Sequence, residues 1–416
     1  MKMVLRYERK SQPQCLLWAL ILLLFVFGTL TDWLHLPGAV RYILDPVWIW
    51  LLILLVRFRE KLCWKDLRGL VLWVLVSFLL PLAGALVLGT KPHYFLWGMR
   101  NHFRGYVNFF AVAVFWTHRD VQQFWTVMER LFWLNAGVSL VQFGMGYRQD
   151  FLGGLFGVYS GVNTYTNLFF AVVLSHSLVS CLAEREGLLG CGLKCAAALF
   201  VAAMAELKFF FGEFLVILVL AVVLSERSTR KFWVILGGTG VVLAGAALLA
   251  YLFPGWENWF SLEKFWQIAS DQRGYTSSGD LNRLTAVSEI NRRFFHGFWE
   301  KIFGLGLGNC ELSGFSFLTT PFAREYQHLH YHWMSIAFVY LEMGWLGLVF
   351  FFWFFLLVFF RGKRCADPVA GRVSQIMAVI CLLTGIYNAS LRSEAGYLAY
   401  VSLALAFVPE GENHGK

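Results

Sequence analysis

Histidine is densest in the segment EYQHLHYHW, where His328, His330 and His332 alternate just ahead of a long apolar run. Residues two apart do not share a face of a helix, and zinc ligands on a helix favour spacings of three or four. A metal centre is therefore not expected there. A single imidazole, with its ordinary pKa near neutrality, is suited to taking a proton from a hydroxyl group. The competing reading is histidine and tyrosine bonded to lipid headgroups. The run that follows carries one charge, Glu342, which stands as a supporting residue.

A second constellation is KPHYFLWGMRNHFRG, in which Arg100 and Arg104 lie four apart and so project from one side of a helix. Each guanidinium can make two charge-assisted bonds to phosphate oxygens, so the pair suits a diphosphate. The alternative is that both snorkel to headgroups beside Tyr94 and Trp97. Further along, AELKFFFGEF puts Glu206, Lys208 and Glu213 at or just within a membrane boundary. Ionisable groups at that depth pair with one another or line a wet cavity. Lys208 is assigned to a cavity, with Glu206 and Glu213 in support.

In GDLNRLTAVSEINRRFF, Asp280 can cap a helix over 281 to about 303. Leu281, Leu284, Val287, Ile290, Phe294 and Phe298 give that helix an apolar stripe. Arg283 stands at the edge of the stripe, facing a membrane-level site. Glu289, Arg293 and Glu300 point to water. The glycines of GLGLGNC follow with no strand before them, which excludes a dinucleotide fingerprint and favours a tight turn.

The elements that must position these residues follow from composition. Of 416 residues, 58% are hydrophobic and 15% charged, with mean hydropathy +0.59. A soluble domain carries about 25% charge. The apolar residues fall into continuous runs, not alternating ten-residue segments, so the fold class is an all-α polytopic membrane bundle and not a barrel. About twelve spans are expected, at 16–30, 40–56, 70–88, 106–116, 121–145, 162–182, 188–205, 209–224, 232–253, 334–360, 373–387 and 397–408. The net charge of +9 sits mostly in the joints 57–68, 225–231 and 361–364. Such joints mark the cytoplasmic side, so the charge does not point to nucleic acid, and both termini are expected inside. The stretch 254–327 has no spanning run and nearly balanced charge, and is expected to be one extracytoplasmic loop within a single domain, 1–416. The scattered cysteines give no disulfide framework.

GDLNRLTAVSEINRRFF, KIFGLGLGNCE and LHYHWMSIAFVYLEMGWLGL, taken together, resemble the C-terminal half of the O-antigen ligase and O-antigen polymerase superfamily. The detailed likeness covers 279–349, and the span layout extends it in outline. Members of that family take a glycan from an undecaprenyl diphosphate carrier at the outer face of the bacterial cytoplasmic membrane. They pass it to a lipid or protein acceptor, or to another carrier-linked glycan. The resemblance implies no metal and no cofactor. It implies His330 as base, with His332 second, and a carrier diphosphate held by Arg100, Arg104, Lys208 and Arg283. Two features depart from the family pattern. Tyr331 follows His330 where a small polar residue is usual, and Lys208 stands where arginine is common. The competing class is a carrier-lipid flippase or polysaccharide exporter.

Overall fold

The structure is a computed structural model that describes residues 10–62, 67–226, 228–252 and 279–409. The described residues are helical, with no β-strand. The chain enters through α1 (Gln12–Gly28), α2 (Leu44–Arg57), α3 (Arg68–Val87), α4 (Pro92–Phe115) and α5 (His118–Gly144). It continues through α6 (Asn163–Leu182), α7 (Leu188–Met204), α8 (Lys208–Leu224) and α9 (Arg230–Leu252). Three short helices follow in the loop, α10 (Ala286–Phe294), α11 (Phe298–Phe303) and α12 (Pro321–Tyr326). The chain then returns through α13 (Ser335–Gly362), α14 (Pro368–Tyr387) and α15 (Gly396–Ala404).

Each of the twelve hydrophobic runs coincides with a helix, and seven described helices are both long and apolar enough to cross a membrane. These are Gln12–Trp33, Gly38–Arg57, Arg68–Val87, Asn163–Leu182, Arg230–Leu252, Ser335–Gly362 and Pro368–Tyr387. The others fall short in length or hydropathy. For α4 the reason is visible in its buried face: Tyr106, Asn108 and Arg104 are enclosed by protein, so the helix carries polarity that lipid would not tolerate. Aromatic rings fill the bundle between α4, α13 and α15, where Tyr106 sits edge-on to Phe354 at 4.8 Å and to Tyr400 at 5.3 Å.

Four local expectations change. The fourth helix begins at Pro92, not near residue 106, so Arg100 and Arg104 belong to its body. Pro92 at its first turn supplies the helical φ and lacks only an N–H that would have no intrahelical partner. The helix expected over 281–303 is two, α10 and α11, broken at Phe295–Gly297. Asp280 does not cap it; Thr285 stands at the N-cap, and the Asp280 carboxylate meets His330 instead. Glu289, expected in water, is buried and paired with Arg292 at 2.6 Å. The part of the loop before residue 279 lies outside the described residues.

The glycine turn does return the loop to the bundle, and the contacts show why glycine is needed. Gly304 and Gly344 cross backbone to backbone: a Cβ on Gly344 would lie 2.5 Å from the Ile302 carbonyl oxygen. Gly344 leaves helical geometry there, with φ 59° and ψ −154°, and divides α13 in two. Four residues on, Gly308 lies against α4, where a Cβ on Gly98 would come within 2.6 Å of the Gly308 Cα. The loop is thereby pinned within one turn of Arg100 and two of Arg104.

Candidate functional site

At the end of the bundle where α2, α4, α13 and α15 begin, a cavity of about 550 Å³ opens among several short segments. Two of these come from outside the helices: the connection 388–395 and the loop residues just after Cys310. The connection is held in place because both the Ser335 amide and its hydroxyl donate to the Asn388 carbonyl, at 3.0 and 2.9 Å. That fastening brings the residues before α13 beside those before α15.

Four guanidinium groups, from Arg41, Arg100, Arg104 and Arg392, line this cavity. Arg100 lies over the Trp97 ring at 4.7 Å and donates to Asp45 Oδ1 through Nη2 at 2.6 Å and Nε at 3.0 Å. Arg104, only 5% exposed, donates to Glu394 Oε1 at 2.6 Å and to the Arg392 carbonyl; its Nε has no partner. Arg392 donates to Glu311 Oε1 at 2.7 Å, passes 3.8 Å from Glu342 Oε2 and stacks over Phe338. Arg41 donates to the Tyr159 hydroxyl at 3.1 Å. Asp45, Glu394 and Glu311 thus bond directly to three of the four guanidiniums, and of these carboxylates only Glu311 and Glu394 belong to the lining itself. Burial would raise the pKa of Glu394, but the Arg104 charge and hydrogen bond bring it down to about 2, so it is ionised throughout the physiological range.

His332 completes the wall. Its Nδ1 is buried with no hydrogen-bond partner. Burial first, then the neighbouring His330 ring and Arg392, lower its pKa to about 4, so the ring is neutral at pH 7 with a lone pair free to accept a proton. His330 stands outside the cavity lining, its ring 5.9 Å from that of His332. Its Nδ1 lies 2.6 Å from Asp280 Oδ1, and its ring stacks on Trp333 at 3.8 Å. The separation has a backbone cause: His330 takes the left-handed conformation, φ 51°, and so turns the chain between two 3-10 segments.

The remaining expected site residues lie elsewhere. Lys208 opens α8 and pairs with Glu206 at 2.8 Å. Its neighbour Phe209 stacks on Tyr387 at 4.0 Å, and Arg283 donates to the Tyr387 carbonyl at 2.9 Å while covering the same ring. Neither Lys208 nor Arg283 lines the arginine cavity. Glu213 is inside the bundle, accepting from Asn167 and Thr384, each at 2.7 Å. Glu342 lies beneath the cavity, where it approaches Arg392 and accepts the Cys310 amide at 3.0 Å.

Sequence reasoning missed Arg41, Arg392, Glu311 and Glu394. A signal existed for two of them: Arg41 and Arg392 are arginines at the ends of apolar runs on the side that the basic joints leave poor in positive charge. The cavity also has an apolar neighbour. A groove of about 730 Å³ runs between α2, α3 and α4, lined by residues such as Leu52, Val74 and Phe103, and it shares Trp97 and Arg100 with the cavity.

Neither the protein-family models nor the curated proteins give a match to this chain.

Proposed function

We propose that this protein transfers a glycan from an undecaprenyl diphosphate carrier to an acceptor hydroxyl, without a metal, as a surface-polysaccharide polymerase or O-antigen-type ligase. In this reading twelve helices cross the bacterial cytoplasmic membrane, both termini are inside, and the cavity faces outward, at the end of the bundle away from the basic joints. The observation that carries the proposal is the adjacency of an arginine-walled cavity and an apolar groove that share Trp97 and Arg100 as lining residues. A polyprenyl diphosphate has that shape: a long apolar chain ending in a compact anion.

The chain lies in the groove between α2, α3 and α4, and the diphosphate enters among Arg100, Arg104 and Arg392. Arg104, whose guanidinium lines the cavity, brings its positive charge to the phosphate oxygens. The acceptor oxygen attacks the anomeric carbon from the side opposite the diphosphate. As the new C–O bond forms, the bond to the phosphate oxygen breaks and the acceptor proton passes to the His332 ring. The guanidiniums stabilise the negative charge that develops on the leaving diphosphate. That same dianion opposes two causes of the low His332 pKa, the charge of Arg392 and the desolvation of the imidazolium, and so raises the basicity of the ring when the donor is in place.

Purified protein given a carrier-linked oligosaccharide and a chelator is expected to release carrier diphosphate and form a new glycosidic bond. A ladder of repeat multiples on the carrier identifies a polymerase, and a single transfer to a foreign acceptor a ligase. Passage of the carrier-linked glycan across sealed vesicles without bond formation would replace the proposal by a flippase.

A further inference from the structure

Residues 311–320 form a flap at the cavity mouth. It is closed on itself, with the Thr320 amide donating to the Glu311 carbonyl at 3.1 Å and the Thr319 hydroxyl to the Ser313 carbonyl at 2.9 Å. Firm anchors stand at both ends. On one side the Cys310 amide is held by Glu342 and its carbonyl by the Tyr331 hydroxyl at 2.7 Å; on the other Thr320 caps α12 through the Ala323 amide. Between them the tip meets the bundle through the Phe315 ring, 5.0 Å from that of Tyr42 and 6.3 Å from that of Trp97. Phe317 is exposed.

The three carboxylates on the cavity guanidiniums differ in what carries them. Asp45 belongs to α2. Glu394 sits in the connection before α15 and also accepts from the Tyr165 hydroxyl at 3.2 Å. Glu311 alone belongs to the flap. We propose that Glu311 occupies on Arg392 the place that a donor phosphate takes, so that an arriving diphosphate displaces it and releases the flap 311–320. This rests on the reading of the cavity as a diphosphate site. Exchange of one anion for another keeps the buried guanidinium compensated, whereas removal of a partner without replacement is strongly unfavourable. Glu342 Oε2, 3.8 Å from Arg392, supports that group during the exchange. The released flap uncovers the cavity mouth only once the donor is seated, which orders the reaction with donor before acceptor.

Hydrogen exchange of the full chain in lipid nanodiscs tests this with a glycan-free polyprenyl diphosphate as probe. In the unsubstituted protein the amides of 312–319 are expected to exchange faster, by about tenfold, when the probe saturates. Glu311→Gln removes the competing anion, so it is expected to bind the probe about tenfold more tightly and to show fast flap exchange without it. Glu311→Asp, which keeps the charge, is expected to stay near the unsubstituted protein. Probe binding with an unmoved flap, or weaker binding by Glu311→Gln, overturns the proposal and leaves the diphosphate site standing. No binding by the unsubstituted protein overturns both. The exchange arm needs no variant, so it decides the matter even where Glu311→Gln does not fold.

Discussion

Arg100 and Arg104 line an open cavity, whereas Lys208 and Arg283 lie over protein. The first pair, with Arg392, surrounds a cavity and leaves the Arg104 Nε without a partner. The second pair gathers at Tyr387, where Arg283 bonds a backbone carbonyl and covers the ring, and Lys208 meets Glu206. Both groups are basic and both stand near chain turns. What separates them is position: Arg100, Arg104 and Arg392 line one shared cavity that can admit a ligand, and Lys208 and Arg283 do not.

The largest effect that would break this contrast concerns His332. Its replacement by alanine is expected to lower turnover by about a thousandfold with donor binding kept, within the range of a lost general base. His330→Ala is expected to reduce turnover by only about tenfold, through the loop turn that it shares with Asp280. Steady-state kinetics beside a separate binding assay checks both, and the reverse order would return the base role to His330. Next comes Arg104→Gln, expected to reduce turnover by about a hundredfold, the scale of a lost oxyanion donor. Arg104→Lys should not rescue it, because lysine lacks the fork that reaches Glu394 and the phosphate together.

The pH dependence sharpens the same contrast. With a pKa of about 4 in the free protein, His332 becomes protonated and useless as a base only as pH falls through that value. The acid limb of kcat/KM is therefore expected near pH 4. The limb of kcat, which reports the donor complex, should lie at higher pH, because the diphosphate raises the affinity of the ring for a proton. Coincident limbs would separate His332 from the diphosphate. The smallest effects are expected at the other group: Lys208→Ala and Arg283→Ala should change turnover less than about threefold, as partly exposed pairs of structural kind do.

The helical runs and the Arg100–Arg104 pair were legible because each depends on local spacing: a long apolar run needs no tertiary context, and residues four apart share a helix face wherever the helix goes. The rest of the site depends on what lies next to what. Arg392 and Glu394 belong to an eight-residue connection that sequence shows only as a short joint, and their place is set by the Ser335 bonds to the Asn388 carbonyl. The alternation of His330 and His332 leaves open which ring faces the cavity; the left-handed backbone at His330 decides it. The long loop helix fails over Phe295–Gly297 because Phe295 is drawn into the core, against Tyr340, and takes an extended conformation that a continuous helix cannot contain.

The most direct test is the position of phosphorus in an electron-microscopy map of the protein with a non-hydrolysable polyprenyl diphosphate glycan. The expected result is both phosphorus atoms among Arg100, Arg104 and Arg392, the apolar chain in the groove of α2, α3 and α4, and the sugar beside His332. Phosphorus at Lys208 and Arg283, with the arginine cavity unchanged, would contradict the account.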